Sequence, residues 1–154
     1  MSNPKVTYLR DHLAGARFAV SLLNDLSEQE FNVEAAQLAG RLLPEIEADR
    51  AVLEAFVNDL GGDSSTLKET AAWVAQKVGR IKLDLQTPLG LFEAIELLTL
   101  GVLGKLALWN AIDVVYQANG GVGELDLETL IARARNQHRE LEALRLKLAA
   151  AALE

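Results

Sequence analysis

Residues 88–118 read PLGLFEAIELLTLGVLGKLALWNAIDVVYQA. Apolar side chains recur in this stretch at alternating spacings of four and three, which predicts a long helix with one buried face. Thr87 and Pro88 predict the start of this helix, and 119–121 (Asn-Gly-Gly) its end. One lysine lies within the pattern. The residues of the pattern are Leu91, Ile95, Leu98, Val102, Lys105, Trp109, Ile112 and Tyr116.

An aspartate takes the equivalent place in a second apolar pattern nearer the amino terminus. This pattern consists of Ala39, Leu42, Ile46, Asp49, Leu53, Phe56 and Leu60. A helical core should reject an unpaired charge, because removing a charged group from water is costly. The sequence therefore directs one carboxylate, Asp49, and one ammonium group, Lys105, toward the same kind of environment.

Composition narrows the class of protein. The chain has 154 residues, of which 50% are hydrophobic and only 5% are aromatic. This length suits a single domain, 1–154, and this mixture favours an all-α fold. The net charge of −7 argues against a nucleic-acid partner, because such binding needs clustered positive charge. No membrane span is predicted, since Glu93, Glu96 and Lys105 interrupt the apolar stretch.

Cysteine usage and the first residues bear on location. The chain has no cysteine, so it offers no disulfide, thiol nucleophile or thiolate metal ligand. The first residues, MSNPK, carry no apolar signal segment. We therefore expect a cytoplasmic protein.

Five helices are predicted, at about 5–26, 28–60, 66–78, 88–118 and 126–150. Ser27 and Glu30 predict a capping box at the start of the second helix, and Pro44 lies inside that helix. Short links join the long helices into two hairpins, whereas the segment between the hairpins is long enough to run the length of a bundle. Helices 28–60 and 88–118 are therefore expected to be parallel. This is a ferritin-like four-helix bundle whose long crossover contains a short extra helix.

This topology predicts a buried polar layer. If the two parallel helices have level ends, Asp49 and Lys105 lie at the same height. The first and last helices run in the opposite direction. Counting residues from their starts places Gln137 or His138 at the same height and His12 one turn lower. We expect a buried Asp49–Lys105 ion pair that fixes the register of the helices.

The same layer is where ferritin-like carboxylate proteins bind two metal ions, using Glu and Glu-x-x-His ligands. Here Glu45 is followed at that interval by Ala48, and His138 is preceded by Arg135. We therefore predict an ion pair in place of a di-metal site and no cofactor, and keep iron or manganese as an alternative. The candidate metal ligands are Glu45, Asp49, Glu96, His12 and His138.

Four segments resemble an uncharacterised family of bacterial helical proteins with a ferritin-like fold. They are YLRDHLAG (8–15), EIEADR (45–50), KVGRIKL (77–83) and LGVLGKLALW (100–109). The likeness covers nearly the whole chain and implies the fold and size, but it implies no activity. The broader ferritin-like resemblance would imply iron or oxygen chemistry.

Three functions stay open. The preferred one is a non-catalytic module that forms a homo-oligomer, such as a dimer, or binds a protein partner through spare apolar residues such as Phe31, Trp73 and Leu85. The second is an atypical ferritin-like metal-binding oxidoreductase. The third is a binder of a small ligand or lipid near Gly101 and Gly104. Those two glycines otherwise predict the close approach of a neighbouring helix.

Overall fold

The computed structural model describes residues 3–62, 83–120 and 125–154. These residues form four long α-helices and no strand, so the predicted all-α class is confirmed for them. The predicted short helix at 66–78, with Trp73, lies outside the described residues. The helices are α1 Pro4–Glu28, α2 Val33–Asp59, α3 Pro88–Ala118 and α4 Leu127–Leu153.

Short polar side chains begin the helices by accepting hydrogen bonds from free backbone N–H groups. The Asn3 side chain accepts from the Lys5 amide at 3.0 Å, Thr87 from the Gly90 amide at 3.1 Å, and Asp126 from the Thr129 amide at 3.1 Å. Each bond satisfies a donor that has no partner within its own helix. The predicted bounds of α3 are confirmed at both ends.

The predicted start of α2 is wrong. Ser27 belongs to α1, where its hydroxyl donates to the backbone oxygen of Asn24 at 2.7 Å. The helix starts instead after Asn32, whose side chain accepts from the Ala35 amide at 2.9 Å. The Gln29 side chain fixes the turn, because it accepts from the Asn32 amide and donates to the Asn32 oxygen. These bonds compete with a capping box at Ser27.

The other end of α2 follows the sequence. The helix runs through Pro44, as predicted, and ends at Asp59. Gly61 follows with a φ of +75°, a left-handed conformation that favours glycine. The Gly62 amide donates to the backbone oxygen of Val57 at 3.0 Å, which satisfies one of the last carbonyl groups of the helix.

The four helices pack as two hairpins. α1 packs along α2, α3 packs along α4, and the hairpins meet where α1 contacts α3 and α2 contacts α4. α2 and α3 therefore lie diagonally across the bundle. Leucines fill most of the space between the helices, with Trp109 and Ile95 fully buried among them. None of the described helices has the length and apolar content needed to span a membrane.

Contacts along the bundle set the helix directions. Glu34 and Arg41 of α2 pair with Lys147 and Glu140 of α4 in reverse order, so these helices are antiparallel. α3 and α4 are antiparallel as well, because Glu96 pairs with Arg145 and Lys105 with Gln137. It follows that α2 and α3 point the same way. The segment that joins them falls largely within residues 63–82, outside the described residues.

Candidate functional site

A polar layer lies halfway along the bundle. Asp49 of α2 is only 1% exposed, and its Oδ2 accepts a hydrogen bond from Lys105 Nζ of α3 at 2.7 Å. Lys105 also donates to Gln137 Oε1 of α4. Gln137 is fully buried and donates through Nε2 to the same Asp49 oxygen at 3.4 Å. The structure thus brings together three of the residues that the sequence placed in this layer.

Arg133 is a fourth member of the layer, and the sequence reasoning missed it. Its Nη1 donates to Asp49 Oδ1 at 2.7 Å, so both oxygens of the carboxylate are bound. A signal was present, because Arg133 lies four residues before Gln137 and side chains at that spacing share a helix face. The side chain of Arg133 stays partly exposed, which is why it falls outside the apolar pattern of α4.

The position of the layer explains the choice of lysine. α2 and α3 are diagonal neighbours, so a short side chain on α3 would not reach Asp49. A lysine carries its charge at the end of four methylene groups and can span this distance. The ion pair consequently links the two hairpins at the centre of the bundle.

Electrostatics in the layer are unbalanced. Burial lowers the pKa of Lys105 from its usual value, while the charge and hydrogen bond of Asp49 raise it. Arg133 lowers the Lys105 pKa further and Glu45 raises it, both through their charges. Burial has the largest effect. The free-energy penalty of removing the ammonium group from water exceeds the stabilisation of its charge by the nearby carboxylates.

The remaining predicted site residues lie outside this hydrogen-bonded layer. His12 is half-buried on α1 with its ring edge-on to Tyr8, the ring centroids 4.7 Å apart. Burial lowers the His12 pKa, and the Asp11 charge partly offsets this. His138 is half-buried on α4. Glu96 accepts from Arg145 at 3.0 Å.

The candidate metal ligands do not converge. Within residues 3–62, 83–120 and 125–154 there is no group of three or more His, Asp or Glu side chains that could hold a metal ion. Asp49, the buried carboxylate among the candidates, is already bound by Lys105 and Arg133. The arrangement is suited to fixing the position of helices.

An apolar cleft of about 380 Å³ opens beside the layer, between α1, α2 and α3. Gly15 of α1 and Gly101 and Gly104 of α3 line it, and Lys105 and Trp109 contribute to its wall. A Cβ atom built on any of these glycines would meet no described residue within 4 Å. The prediction that Gly101 and Gly104 allow close approach of a neighbouring helix is therefore wrong for the four described helices. Next to those helices, the two glycines leave open space instead.

The outward face of α3 is uncharged over four helical turns and is apolar except for the exposed Asn110. Leu100 is 58% exposed and Val114 is 69% exposed, and Leu103, Ala107 and Ala111 lie exposed between them. The only charged residue between positions 97 and 112 is Lys105, which points into the bundle. We call Leu100, Leu103, Ala107, Ala111 and Val114 the α3 outer face.

The apolar residues that the sequence singled out for association behave differently from one another. Phe31 is 45% exposed in the turn between α1 and α2. Leu85 packs against the core, so it is not a free surface residue. Trp73 lies outside the described residues. The α3 outer face was missed because apolar residues also lie outside the four-and-three pattern of this helix, and the sequence does not tell which of them are exposed.

No family model, no curated protein and no solved structure matches this chain. The resemblance to a ferritin-like family stays a prediction. Over the residues that the structure describes, the fold and the site are those of an all-helical protein with four long helices and a central polar layer.

Proposed function

We propose that this protein is a non-catalytic helical module that forms a homodimer through the α3 outer face. The observation that carries this proposal is the uncharged, exposed stripe from Leu100 to Val114. Water-exposed helices normally place charged side chains on their outer face, and an apolar face that remains exposed in the monomer marks an interaction site.

The order of side-chain sizes along this face favours a second copy of the chain as the partner. In an antiparallel pair related by a two-fold axis at Ala107, Leu100 of each copy would lie opposite Val114 of the other. Leu103 would lie opposite Ala111, and the two Ala107 side chains would meet at the centre. Large residues would thus face smaller ones, and small residues at the axis allow the helices to approach closely.

We propose that the Asp49–Lys105 layer serves this module by fixing the register of its two hairpins. An ion pair of this kind adds little net stability, because two desolvation costs offset the attraction. It does penalise any arrangement that leaves either charge without its partner. We further propose that residues 63–82 cross the bundle in the ferritin-like manner. The parallel directions of α2 and α3 support this connectivity.

We propose no metal cofactor for the layer, because the side chains of Lys105 and Arg133 already bind the two oxygens of the Asp49 carboxylate. The alternative of an iron or manganese oxidoreductase is tested by elemental analysis of protein purified without an affinity tag. Iron or manganese at one or two ions per chain would reverse this part of the proposal.

The dimer is tested by size-exclusion chromatography with light scattering on two matched variants. Leu100→Glu places a charge on the α3 outer face, and Leu146→Glu places one at an equally exposed leucine of α4, 59% against 58%. We expect the wild type and Leu146→Glu to be dimers. Leu100→Glu should raise the dimer dissociation constant at least about a hundredfold, because a two-fold interface buries the residue twice.

The orientation of the pair is tested by cross-linking, for which a chain without cysteine is well suited. Ala107→Cys should form an intermolecular disulfide on mild oxidation, because the two-fold axis brings position 107 against its own copy. Leu146→Cys serves as the control and should stay monomeric on a non-reducing gel. A monomeric wild type, or equal cross-linking at both positions, would contradict the proposal.

A further inference from the structure

We propose that the cleft between α1, α2 and α3 is a binding site for a small amphipathic carboxylic acid, with the carboxylate on Lys105 and the hydrocarbon chain along the apolar walls. The cleft borders the α3 outer face at Gly104, but none of the five residues that define that face lines it. The inference does not depend on dimerisation.

The cleft has the size and chemistry of a ligand site. Its volume of about 380 Å³ falls in the range of small-molecule pockets, roughly 300 to 1,000 Å³. Apolar side chains such as Phe18, Leu53, Leu97 and Leu108 form most of its walls. Charged groups reach it at few points, which is the usual pattern for a site that binds an apolar body with one oriented polar end.

The glycines argue that this space is kept open. Glycine in the middle of a helix costs roughly 0.5–1 kcal/mol relative to alanine, because it loses more backbone freedom on folding. Gly15, Gly101 and Gly104 all lie within helices and all face open space in the cleft. Packing against the described residues does not require any of them to be glycine. Larger side chains at these positions would fill the cleft.

The polar end of the ligand is identified by the ammonium group of Lys105, which lines the cleft. An ammonium group has three N–H donors, and Lys105 uses two of them on Asp49 and Gln137. The indole Nε1–H of Trp109 has no hydrogen-bond partner among the described residues, but it is fully buried and is not open to the cleft. The third N–H donor of Lys105 is therefore the one offered to a ligand. A carboxylate suits the cationic Lys105 best, because charge-assisted hydrogen bonds are about twice as strong as neutral ones.

The other charged groups at the cleft set the direction of the ligand. Asp11 lies exposed on α1 and would repel an anionic head, while Arg50 is held by Glu54 at 2.5 Å. Asp49 is saturated by its own partners. The carboxylate is therefore directed inward to Lys105 and away from Asp11.

The test uses decanoate as the probe and 1-decanol as its uncharged counterpart, each titrated calorimetrically into the full chain. We expect decanoate to bind saturably at one molecule per chain and 1-decanol to bind about tenfold more weakly, because it lacks the charge that pairs with Lys105. Absence of saturable decanoate binding would overturn the proposal. So would more than one molecule per chain, which would indicate adsorption to the surface.

Two glycine variants locate the site. Gly15→Leu directs a side chain into the cleft and should weaken decanoate binding at least about tenfold. Gly40→Leu makes the same change at a helical glycine of α2 that also has open space around it but lies away from the cleft, and it should bind as the wild type does. Equal affinities of the two variants would place the probe elsewhere. Equal affinities for decanoate and 1-decanol would remove Lys105 as the carboxylate partner.

Discussion

The two edges at which the hairpins meet are built in contrasting ways. Where α2 meets α4, long charged side chains bridge the helices: Glu34 with Lys147, Arg41 with Glu140, and Asp49 with Arg133. Where α1 meets α3, Gly15, Gly101 and Gly104 line an apolar cleft. We call these the ion-pair edge and the glycine edge.

The ion-pair edge holds the helices of the bundle in register, whereas the glycine edge leaves space for a ligand. Exposed ion pairs contribute little energy each, but Asp49 lies in the core and makes the ion-pair edge sensitive to a change at one residue. The glycines of the glycine edge lower stability, because they pack less surface and favour the helix less than alanine would. A loss of stability that no packing contact explains is typical of positions selected for binding.

The largest expected effect comes from removing the buried carboxylate. Asp49→Asn leaves Lys105 and Arg133 without their anion, and we expect it to lower the free energy of unfolding by about 3–5 kcal/mol. Lys105→Met should cost less, because Asp49 keeps Arg133 and Gln137 as partners. Urea unfolding of both variants measures these changes.

The double variant sharpens the same test. If the two residues act as one unit, Asp49→Asn with Lys105→Met should cost less than the sum of the single changes, with a coupling of about 0.5–3 kcal/mol. Additive effects would show that the ion pair is not an energetic unit.

The glycine edge should respond in the opposite direction. Gly15→Ala and Gly101→Ala are each expected to stabilise the protein by about 0.5–1 kcal/mol, because alanine favours the helix and its methyl group meets no neighbour in the described part of the chain. Thermal or urea unfolding of each variant measures the gain.

A third glycine of α3 provides the contrast. A Cβ atom on Gly90 would overlap the backbone of Asp84, so Gly90→Ala should cost about 1–3 kcal/mol. Loss of stability at Gly101 as well would indicate that the cleft is packed in solution.

A smaller effect is expected at the surface of the ion-pair edge. Arg41→Ala removes the Arg41–Glu140 pair, whose Nη1–Oε2 distance is 2.8 Å. Because Arg41 is mostly exposed, we expect a loss of only about 0.2–1 kcal/mol, and less in high salt. Urea midpoints at low and high ionic strength measure it. A loss comparable to that of Asp49→Asn would mean that the surface pairs set the register.

The smallest effect concerns pH at the glycine edge. Burial lowers the His12 pKa below 6.5, so the unfolded chain takes up a proton more readily than the folded protein. Above pH 6.5, His12 is neutral in both states and does not lower the free energy of unfolding. As the pH falls from 6.5 through the lowered pKa, protonation favours the unfolded chain and the free energy of unfolding decreases. His12→Gln should therefore show a shallower fall of the urea midpoint between pH 7 and 5.

A second variant checks the cause of this effect. Asp11 raises the His12 pKa, so Asp11→Asn should make the fall of the midpoint steeper than in the wild type. An unchanged slope in both variants would show that His12 does not contribute to the acid sensitivity.

Much of the helical framework was predictable. Apolar spacing predicted that α3 is a helix. Its two ends were predicted correctly because Thr87 and Pro88 at its start and Asn119 after its end are strong local signals. The start of α2 was not predicted correctly. Ser27 and Asn32 are both good N-cap residues, and the hydrogen bonds of Gln29 favour Asn32. Local preference alone does not decide between two such caps.

The candidate site divides in the same way. Asp49 and Lys105 interrupt apolar patterns, and a charge in such a pattern must find a partner. Arg133 was missed because its partly exposed side chain lies outside the apolar pattern of α4, and its spacing of four residues from Gln137 was the only signal. The sequence allowed two interpretations of Gly101 and Gly104, a close helix approach or a small-ligand site, and did not decide between them, because glycine is compatible with both a tight contact and open space.

The amino-acid sequence by itself determined the four helices of the described residues, their buried faces and the need for Asp49 and Lys105 to be neutralised, because periodicity and desolvation act on each helix separately. Only the tertiary structure decided that α2 and α3 are diagonal, that Arg133 shares the carboxylate and that three glycines border a cleft. These features depend on distances between helices, which long and short side chains at many positions set together.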